Sequence, residues 1–183
     1  MWLARTRIAL RLVAVVAMAA ITAGCFQPMY AEHTDGTPDL RDKLLGVEVP
    51  PVDKPNGSRE ARIGVEIRNA LAFKLYGNAT GMPPTHRLVL RFNTSKSSLM
   101  IDPNTGLPTS ENYGIDAQYN LIEIASNKSV MTGTSFAKVS YDMPGSYQRF
   151  ARSRALRDAE DRAAQEIAEK IQTRLASFFV AGT

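Results

Sequence analysis

The sequence predicts an α+β domain in which two amphipathic helices pack on one face of a small, mostly antiparallel four-stranded sheet. Three observations lead to this class. Apolar residues recur every three or four positions in two segments, they alternate in four others, and the order is strand, helix, three strands, helix. Packing both helices on one side of the sheet is the most economical way to bury both apolar stripes. The predicted domain covers residues 45–183.

The predicted domain begins with a short strand and a helix. Residues 45–49 (LGVEV) alternate, and the prolines at positions 50 and 51 end this strand. Ser58 is a suitable N-cap for the helix, and Gly77 follows its predicted end. The apolar stripe of this helix consists of Ile63, Ile67, Ala70, Leu71 and Leu75.

Three strands are predicted to follow the first helix. Residues 86–92 (HRLVLRF), 113–124 (YGIDAQYNLIEI) and 130–141 (VMTGTSFAKVSY) each alternate, and a tight polar turn makes the last two antiparallel. Gly133 indicates a bulge or a close backbone approach. Residues 94–112 are rich in Ser, Pro, Gly and Asn, so we expect a long loop there.

The final helix has the longest periodic pattern in the chain. Two charge pairs four residues apart, Asp158 with Arg162 and Glu166 with Lys170, support its polar side. Its predicted buried stripe repeats over more than five turns and consists of Leu156, Ala159, Ala163, Ile167, Ile171, Leu175 and Phe178.

The first 24 residues have the pattern of a lipoprotein signal peptide. Three arginines precede an apolar run at residues 12–23, which is shorter than the roughly 20 residues that span a bilayer. Residues 22–25 (TAGC) resemble a bacterial lipobox, whose cysteine is lipidated after cleavage. We therefore expect acyl chains on Cys25 and a flexible tether over residues 25–44. The alternative is an exported soluble protein with a free thiol.

Charge and cysteine content exclude several classes of protein. The chain has 22 basic and 18 acidic residues, and loss of the three signal-peptide arginines leaves 19 against 18, a net charge of +1. A nucleic-acid-binding domain is strongly basic, so no nucleic-acid partner is predicted. One cysteine cannot form an intramolecular disulfide.

Few residues could support catalysis or metal binding. Only His33 and His86 accompany the single cysteine, which is too few for a Cys/His metal site. Residues 102–113 begin like a calcium loop but lack the glycine at the sixth place and the glutamate at the twelfth. We therefore expect no cofactor, no metal and no enzymatic activity. A lipidated hydrolase built on carboxylates alone is the alternative.

Several segments together resemble the LptE family of lipopolysaccharide-assembly lipoproteins. They are residues 25–30 (CFQPMY), residues 67–71 (IRNAL) in the first helix, and residues 140–151 (SYDMPGSYQRFA) leading into the last helix. The order of the elements is also similar. The chain departs from the family's common start because no glycine follows Cys25 and Met29 stands in place of leucine.

The resemblance implies a role in assembly. Members of the family sit as a plug inside the outer-membrane β-barrel LptD, help that barrel to fold and pass lipopolysaccharide to the outer leaflet. For this chain it implies an outer-membrane location on the periplasmic side, and Phe26 rather than aspartate after Cys25 favours that membrane. The alternative is an accessory lipoprotein of a lipid-transport ABC system. Helices on one sheet face would leave the other for a partner, unless residues 94–112 cover it.

Basic residues are the candidates for binding the phosphates of lipopolysaccharide. Arg87 and Arg91 share the outer face of one strand, and Lys138 adds to them if its register brings it alongside. The other interpretation is that these side chains protect the sheet from aggregation. A rival basic cluster, which Asp158 and Asp161 would partly neutralise, consists of Arg149, Arg152, Arg154 and Arg157.

Overall fold

The computed structural model describes residues 39–77, 82–143 and 148–182. The chain divides into two compact units, residues 1–39 and residues 40–183. The predicted signal peptide, Cys25 and the tether up to residue 38 lie outside the described residues, so these assignments remain predictions.

The second unit is an α+β fold with a four-stranded sheet and helices, which confirms the predicted class. The described part contains three helices, one more than predicted. In chain order the elements are α1 (Leu40–Leu45), β1 (Val47–Glu48), α2 (Arg59–Tyr76), β2 (His86–Ile101), β3 (Pro108–Glu123), β4 (Lys128–Asp142) and α3 (Arg149–Ala181).

The sheet is mixed, which corrects the prediction of a mostly antiparallel sheet. Its strands lie in the order β1-β2-β3-β4. The pairs β2–β3 and β3–β4 are antiparallel, but β1 runs parallel to β2, with Val47 opposite His86. The chain passes through α2 between these two strands, and such a crossover returns it in the same direction.

The predicted loop at residues 94–112 is wrong, because most of it is strand. β2 continues to Ile101 and β3 starts at Pro108, and Lys96 lies opposite Tyr113 in the ladder between them. The polar side chains here are mostly exposed, so the apolar alternation that reveals a half-buried strand is missing. Backbone pairing with β3 forms the strand instead.

The last five residues of the predicted tether, residues 40–44, also need correction. They form most of α1, in which Leu40 and Leu44 are buried. These two leucines lie four positions apart and so share one helical face. The backbone carbonyl of Phe179 in α3 accepts a hydrogen bond from Lys43 Nζ at 3.1 Å. The folded body therefore begins about five residues earlier than the sequence indicated.

The structure confirms the first predicted helix in its ends and its buried face. Ser58 is the N-cap of α2, and its hydroxyl accepts a hydrogen bond from the backbone N–H of Ala61 at 3.0 Å. Gly77 ends the helix with a φ of 57°, which glycine adopts without steric cost. The buried apolar side chains of α2 are Ile63, Ile67, Leu71 and Leu75.

The last helix, α3, is two turns longer at its start than its apolar stripe suggested. Both predicted charge pairs form, Asp158 with Arg162 at 2.8 Å and Glu166 with Lys170 at 2.6 Å. None of the helices in residues 39–77, 82–143 and 148–182 is long and apolar enough to cross a membrane. The buried apolar residues of α3 are Ala159, Ala163, Ala164, Ile167, Ala168, Ile171, Leu175 and Ala176.

The core lies between the helices and one face of the sheet. Helices α2 and α3 run in the same direction, as the pairs Arg62–Asp161 (2.9 Å) and Lys74–Glu169 (3.9 Å) show. A side chain on Gly133 would overlap the ring of Tyr119, so this glycine makes room for a side chain, and the register shift of β3 with β4 lies at Leu121/Ile122 instead of at this glycine. The inner sheet face buries Leu88, Leu90, Phe92, Tyr113, Ile115, Ala117, Tyr119, Leu121, Ala137, Val139 and Tyr141.

Candidate functional site

The side of the sheet that faces away from α3 is the first candidate surface, and we call it the outer sheet face. Side chains alternate between the faces of a sheet, so the neighbours of the buried residues point outward. In the described part of the chain, the buried residues of the sheet face the helices on its other side, and Lys170 of α3 reaches the ring of Phe136 at 4.9 Å. Three of its cross-strand rows are Val89–Asn120–Thr132, Arg91–Gln118–Thr134 and Asn93–Asp116–Phe136.

Arg91 occupies the middle of the outer sheet face. Its side chain is exposed, and it lies between two shallow grooves of about 460 and 540 Å³. Val89 and Gln118 also line both grooves. A ligand on either side of Arg91 would therefore meet a guanidinium group, which can bind a phosphate through two hydrogen bonds.

Arg87 is less available than Arg91. Its Nε donates to the carboxylate of Glu48 at 3.1 Å, and both side chains are about half exposed. Four residues along β2 separate it from Arg91, which is about 13 Å between Cα positions, so one bound anion contacts both only where the two long side chains bend toward each other. The pair with Glu48 links β1 to β2 and partly neutralises the charge of Arg87.

The register does not bring Lys138 alongside these arginines. Lys138 lies opposite Gly114, which lies opposite Ser95, whereas Arg91 lies opposite Gln118. It shares the outer sheet face but sits four residues further along and two strands away, about 16 Å from Arg91 between Cα positions. A single phosphate cannot contact both side chains.

The rival basic cluster at the start of α3 carries more free charge than the sequence suggested. Asp158 pairs with Arg162, and Asp161 pairs with Arg62, so both acidic residues are engaged elsewhere. The guanidinium of Arg154 lies 5.5 Å from the centre of the Phe150 ring. We call the four residues the arginine cluster: Arg149, Arg152, Arg154 and Arg157.

A buried ionic group joins α2 to α3, and sequence analysis did not find it. Glu160 is only 3% exposed, and its carboxylate binds Arg62 through one oxygen and lies 3.6 Å from Arg59 Nε through the other. Burial alone would lower the pKa of Arg62, but the hydrogen bond from Arg62 to Asp161 and the nearby negative charges raise it. The only indication in the sequence was that Glu160 lies among the small and apolar residues on the buried face of the last helix.

The shifted titratable groups do not form a catalytic arrangement. Burial raises the pKa of Tyr113 to about 12, and burial and the hydrogen bond to Glu111 raise the pKa of Tyr141. Burial lowers the pKa of His86, whose ring lies edge-on to Phe179. Within the described ranges, no group of three His, Cys, Asp or Glu side chains could hold a metal ion.

Several solved structures are similar to this chain, and three of them are described as lipoproteins. A structure described as a lipoprotein from Caulobacter crescentus CB15 has a TM-score of 0.62 and 22% identity, covering 79% of this chain and 97% of its own. An uncharacterized lipoprotein B from Nitrosomonas europaea has a TM-score of 0.51 and 11% identity, covering 74% and 83%. The rare lipoprotein B from Shewanella oneidensis has a TM-score of 0.49 and 17% identity, covering 74% and 96%. The first two show a shared fold.

Comparison of the sequence with family models identifies the family of this chain. A family model described as LptE, lipopolysaccharide-assembly, matches residues 44–175, which include every described strand, all of α2, most of α3 and the last two residues of α1. No curated protein sequence matches the chain. The chain belongs to the LptE family of lipopolysaccharide-assembly proteins.

Proposed function

We propose that the chain is a non-enzymatic outer-membrane lipoprotein that plugs an LptD-type β-barrel, assists the assembly of that barrel and delivers lipopolysaccharide to the outer leaflet. Membership of the LptE family supports the assembly role. The structural observation that carries the proposal is the outer sheet face, because the described helices leave it open to a partner.

The chemistry of the outer sheet face suits the interior of a barrel. The lumen of an outer-membrane barrel is polar, in contrast to its lipid-facing exterior. The outer sheet face likewise presents amides and hydroxyls, among them Asn93, Gln118, Asn120 and Thr134. Such groups can exchange hydrogen bonds with a polar wall. An apolar outer face would have favoured a lipid or helical partner instead.

The anchor completes the proposed arrangement. Acyl chains on Cys25 would hold the chain to the outer membrane on its periplasmic side. Stable attachment takes two or more membrane signals, which a cysteine carrying several chains supplies. The tether ahead of α1 would let the folded body enter the barrel while the acyl chains remain in the bilayer.

Co-purification tests the partner. We expect a tagged full-length chain, extracted from membranes in mild detergent, to retain an outer-membrane barrel. Replacing Gln118 and Thr134 with arginine should weaken that capture, because two large cations would occupy the outer sheet face. Thr173→Arg, at an exposed position on α3, is the matched control. Capture of an inner-membrane transporter instead would favour an accessory lipoprotein of a lipid-transport ABC system and overturn the proposal.

A second experiment tests the lipopolysaccharide site that we propose at Arg87, Arg91 and Lys138. Binding of acyl-free protein to lipopolysaccharide should weaken about tenfold in the variant Arg87→Glu/Arg91→Glu, since two phosphate contacts are lost. Arg91→Lys should have a smaller effect because lysine keeps the charge but not the bidentate geometry. Unchanged affinity in the double variant would exclude the strand and leave the arginine cluster, tested by Arg152→Glu/Arg154→Glu.

A further inference from the structure

One end of the molecule exposes a compact group of large apolar side chains at the turn between β2 and β3. Leu99, Met100, Ile101 and Leu107 are 52%, 62%, 61% and 51% exposed, and we call these four residues the apolar tip. A single exposed apolar side chain is ordinary on a protein surface. Four neighbours at one turn instead form a patch of the kind that marks an interaction site.

The local backbone holds the apolar tip in place. The register between β2 and β3 shifts on both sides of Met100, so three consecutive apolar residues stay exposed instead of alternating. Backbone hydrogen bonds from Asp102 N to Leu107 O (2.9 Å) and from Gly106 N to Asp102 O (2.8 Å) close the turn. The side chain of Asp102, the only charged residue between positions 97 and 110, accepts from Asn104 N at 2.8 Å.

The arginine cluster lies at the same end of the molecule as the apolar tip. The backbone N–H of Met143, just after β4, donates to the carbonyl of Thr109 at 2.8 Å beside the turn. Arg152 Nη2 in turn lies 3.8 Å from Met143 Sδ. Phe150, in the first turn of α3, is 72% exposed and adds an aromatic ring to this end.

The charge of the arginine cluster is available to a ligand. In the part of the chain that the structure describes, no carboxylate lies within ion-pair distance of Arg149, Arg154 or Arg157. Asp158 and Asp161, the closest acidic residues in sequence, bind Arg162 and Arg62. The end of the molecule therefore combines apolar side chains with adjacent positive charge.

We propose that this end docks on a bilayer surface that contains anionic phospholipids. The apolar tip enters the boundary between headgroups and acyl chains, and the arginine cluster binds headgroup phosphates. Surface-bound proteins gain affinity from the same two sources, burial of apolar area and attraction to anionic lipid. Arginine side chains also keep their guanidinium groups at the headgroup level while their stems lie against apolar groups.

The shape of the tip favours a lipid over a protein. Protein interfaces are centred on well-packed aromatic and arginine anchors that fit pockets of the partner. The apolar tip is instead a protruding turn of aliphatic side chains, which a fluid layer can surround without matching its shape. The proposal does not depend on a barrel partner.

A fluorescent label tests whether the tip enters lipid. The chain from residue 26 onward contains the complete second unit and no cysteine, so Met100→Cys provides a single labelling site. With an environment-sensitive nitrobenzoxadiazole label, we expect a blue shift on adding vesicles of phosphatidylcholine and phosphatidylglycerol in equal parts. The label on Phe73→Cys, which is equally exposed on α2, should not shift.

Vesicle sedimentation separates the contribution of the apolar tip to binding from that of the arginine cluster. Leu99→Asp/Ile101→Asp should weaken vesicle binding about tenfold or more, because two apolar groups no longer leave water. The matched control is Val180→Asp, another exposed apolar position at the far end of α3. Arg149→Glu/Arg154→Glu should weaken binding to the anionic vesicles and reduce its dependence on salt.

Several results would overturn the proposal. They are an unshifted label at position 100 in the presence of bound vesicles, unchanged binding of the tip variant, and equal binding to vesicles of phosphatidylcholine alone. A label that shifts with a purified barrel but not with vesicles would make the tip a protein contact. Circular dichroism must show that each variant remains folded, which the exposure of all substituted residues favours.

Discussion

Near the start of α3, the carboxylate of Glu160 is buried and binds the guanidinium of Arg62 from α2. A buried charge costs free energy unless it is paired, so each of these groups requires the other. Asp161 binds a second nitrogen of Arg62 at 2.9 Å from a more exposed position. The alignment of two helices thus depends on one residue whose partner is distant in sequence.

Removing the carboxylate of Glu160 should destabilise the folded state. We expect Glu160→Ala to lower the free energy of unfolding by about 2–3 kcal/mol, less than for a fully buried pair because Arg62 is about a quarter exposed. The measurement is urea-induced unfolding at neutral pH. Asp158→Ala breaks only an exposed pair within α3 and should change the same quantity by about 0.5 kcal/mol or less. Similar losses in both variants would contradict the importance of the buried pair.

His86 should make stability depend on pH. Burial lowers the pKa of His86 below its ordinary 6.5, against the opposing charge of Glu123. The unfolded chain therefore binds this proton at higher pH than the folded chain. The stability that neutral His86 contributes is complete above about pH 6.5 and declines as the pH falls through the lower folded value.

Comparison of two histidine variants isolates this contribution. Between about pH 7.5 and pH 5, wild type should lose more unfolding free energy than His86→Gln, which lacks the titrating group. His33→Gln, in the predicted tether, should behave like wild type. If His86→Gln shows the full acid dependence of wild type, the carboxylates rather than His86 cause it.

At the scale of elements, α3 carries the most side-chain burial. Ile171 is fully buried on its inner stripe, between the sheet and α2. Ile171→Asp would place an unpaired charge in the core, and we expect a loss of about 4 kcal/mol or more, enough to unfold the domain. This loss of stability is measured by thermal unfolding, with circular dichroism as the signal. Thr173→Asp, at an exposed position two residues on, is the control, and a retained melting temperature in Ile171→Asp would refute this packing.

The elements that were predicted well from the sequence are those with one buried face, because a buried face requires apolar residues at a regular spacing. α2 and α3 each carry an apolar stripe, and the inner residues of β2, such as Leu88 and Leu90, alternate with polar ones. The far half of β2 has no buried face, so only backbone pairing defines it. α1 is too short to show a repeat, and two leucines four apart are common in loops as well.

The candidate site was harder to predict than the fold. Placing Arg87 and Arg91 on one face required only the period of a strand. Placing Lys138 required the register across two strand pairs, and Glu160 required the packing of two helices, neither of which local spacing determines. The apolar tip was hidden for a related reason, because its residues were assigned to a loop.

At the scale of the whole folded unit, the start of α1 and the apolar tip lie at opposite ends of the sheet. The chain enters the folded body at α1, beside the end of α3, whereas the tip lies beside the start of α3. Residues 26–39 can extend by at most about 50 Å, which is close to the thickness of a bilayer with its headgroups.

The anchor itself has a direct test. Cys25→Ser should abolish lipidation, because a serine oxygen is a much poorer acceptor of the diacylglyceryl group than a cysteine thiolate. Cells grown with a palmitate analogue should therefore show label on the wild-type chain and none on the variant. Substitution of Ser97, an exposed serine of β2, by alanine controls for expression. Labelled Cys25→Ser protein would refute lipidation at this cysteine.

The ion pair between Arg62 and Asp161 also has a consequence for how the chain folds. It joins residues 99 positions apart, and the helix that covers the inner sheet face comes last. A protein that crosses a membrane as an extended chain exposes its segments in order, so α2 and the three long strands emerge before α3 can cover them. During that interval their apolar faces are open to aggregation, and contacts of such long sequence separation form slowly. On the predicted export route, the domain therefore closes only once α3 has emerged to cover the inner sheet face.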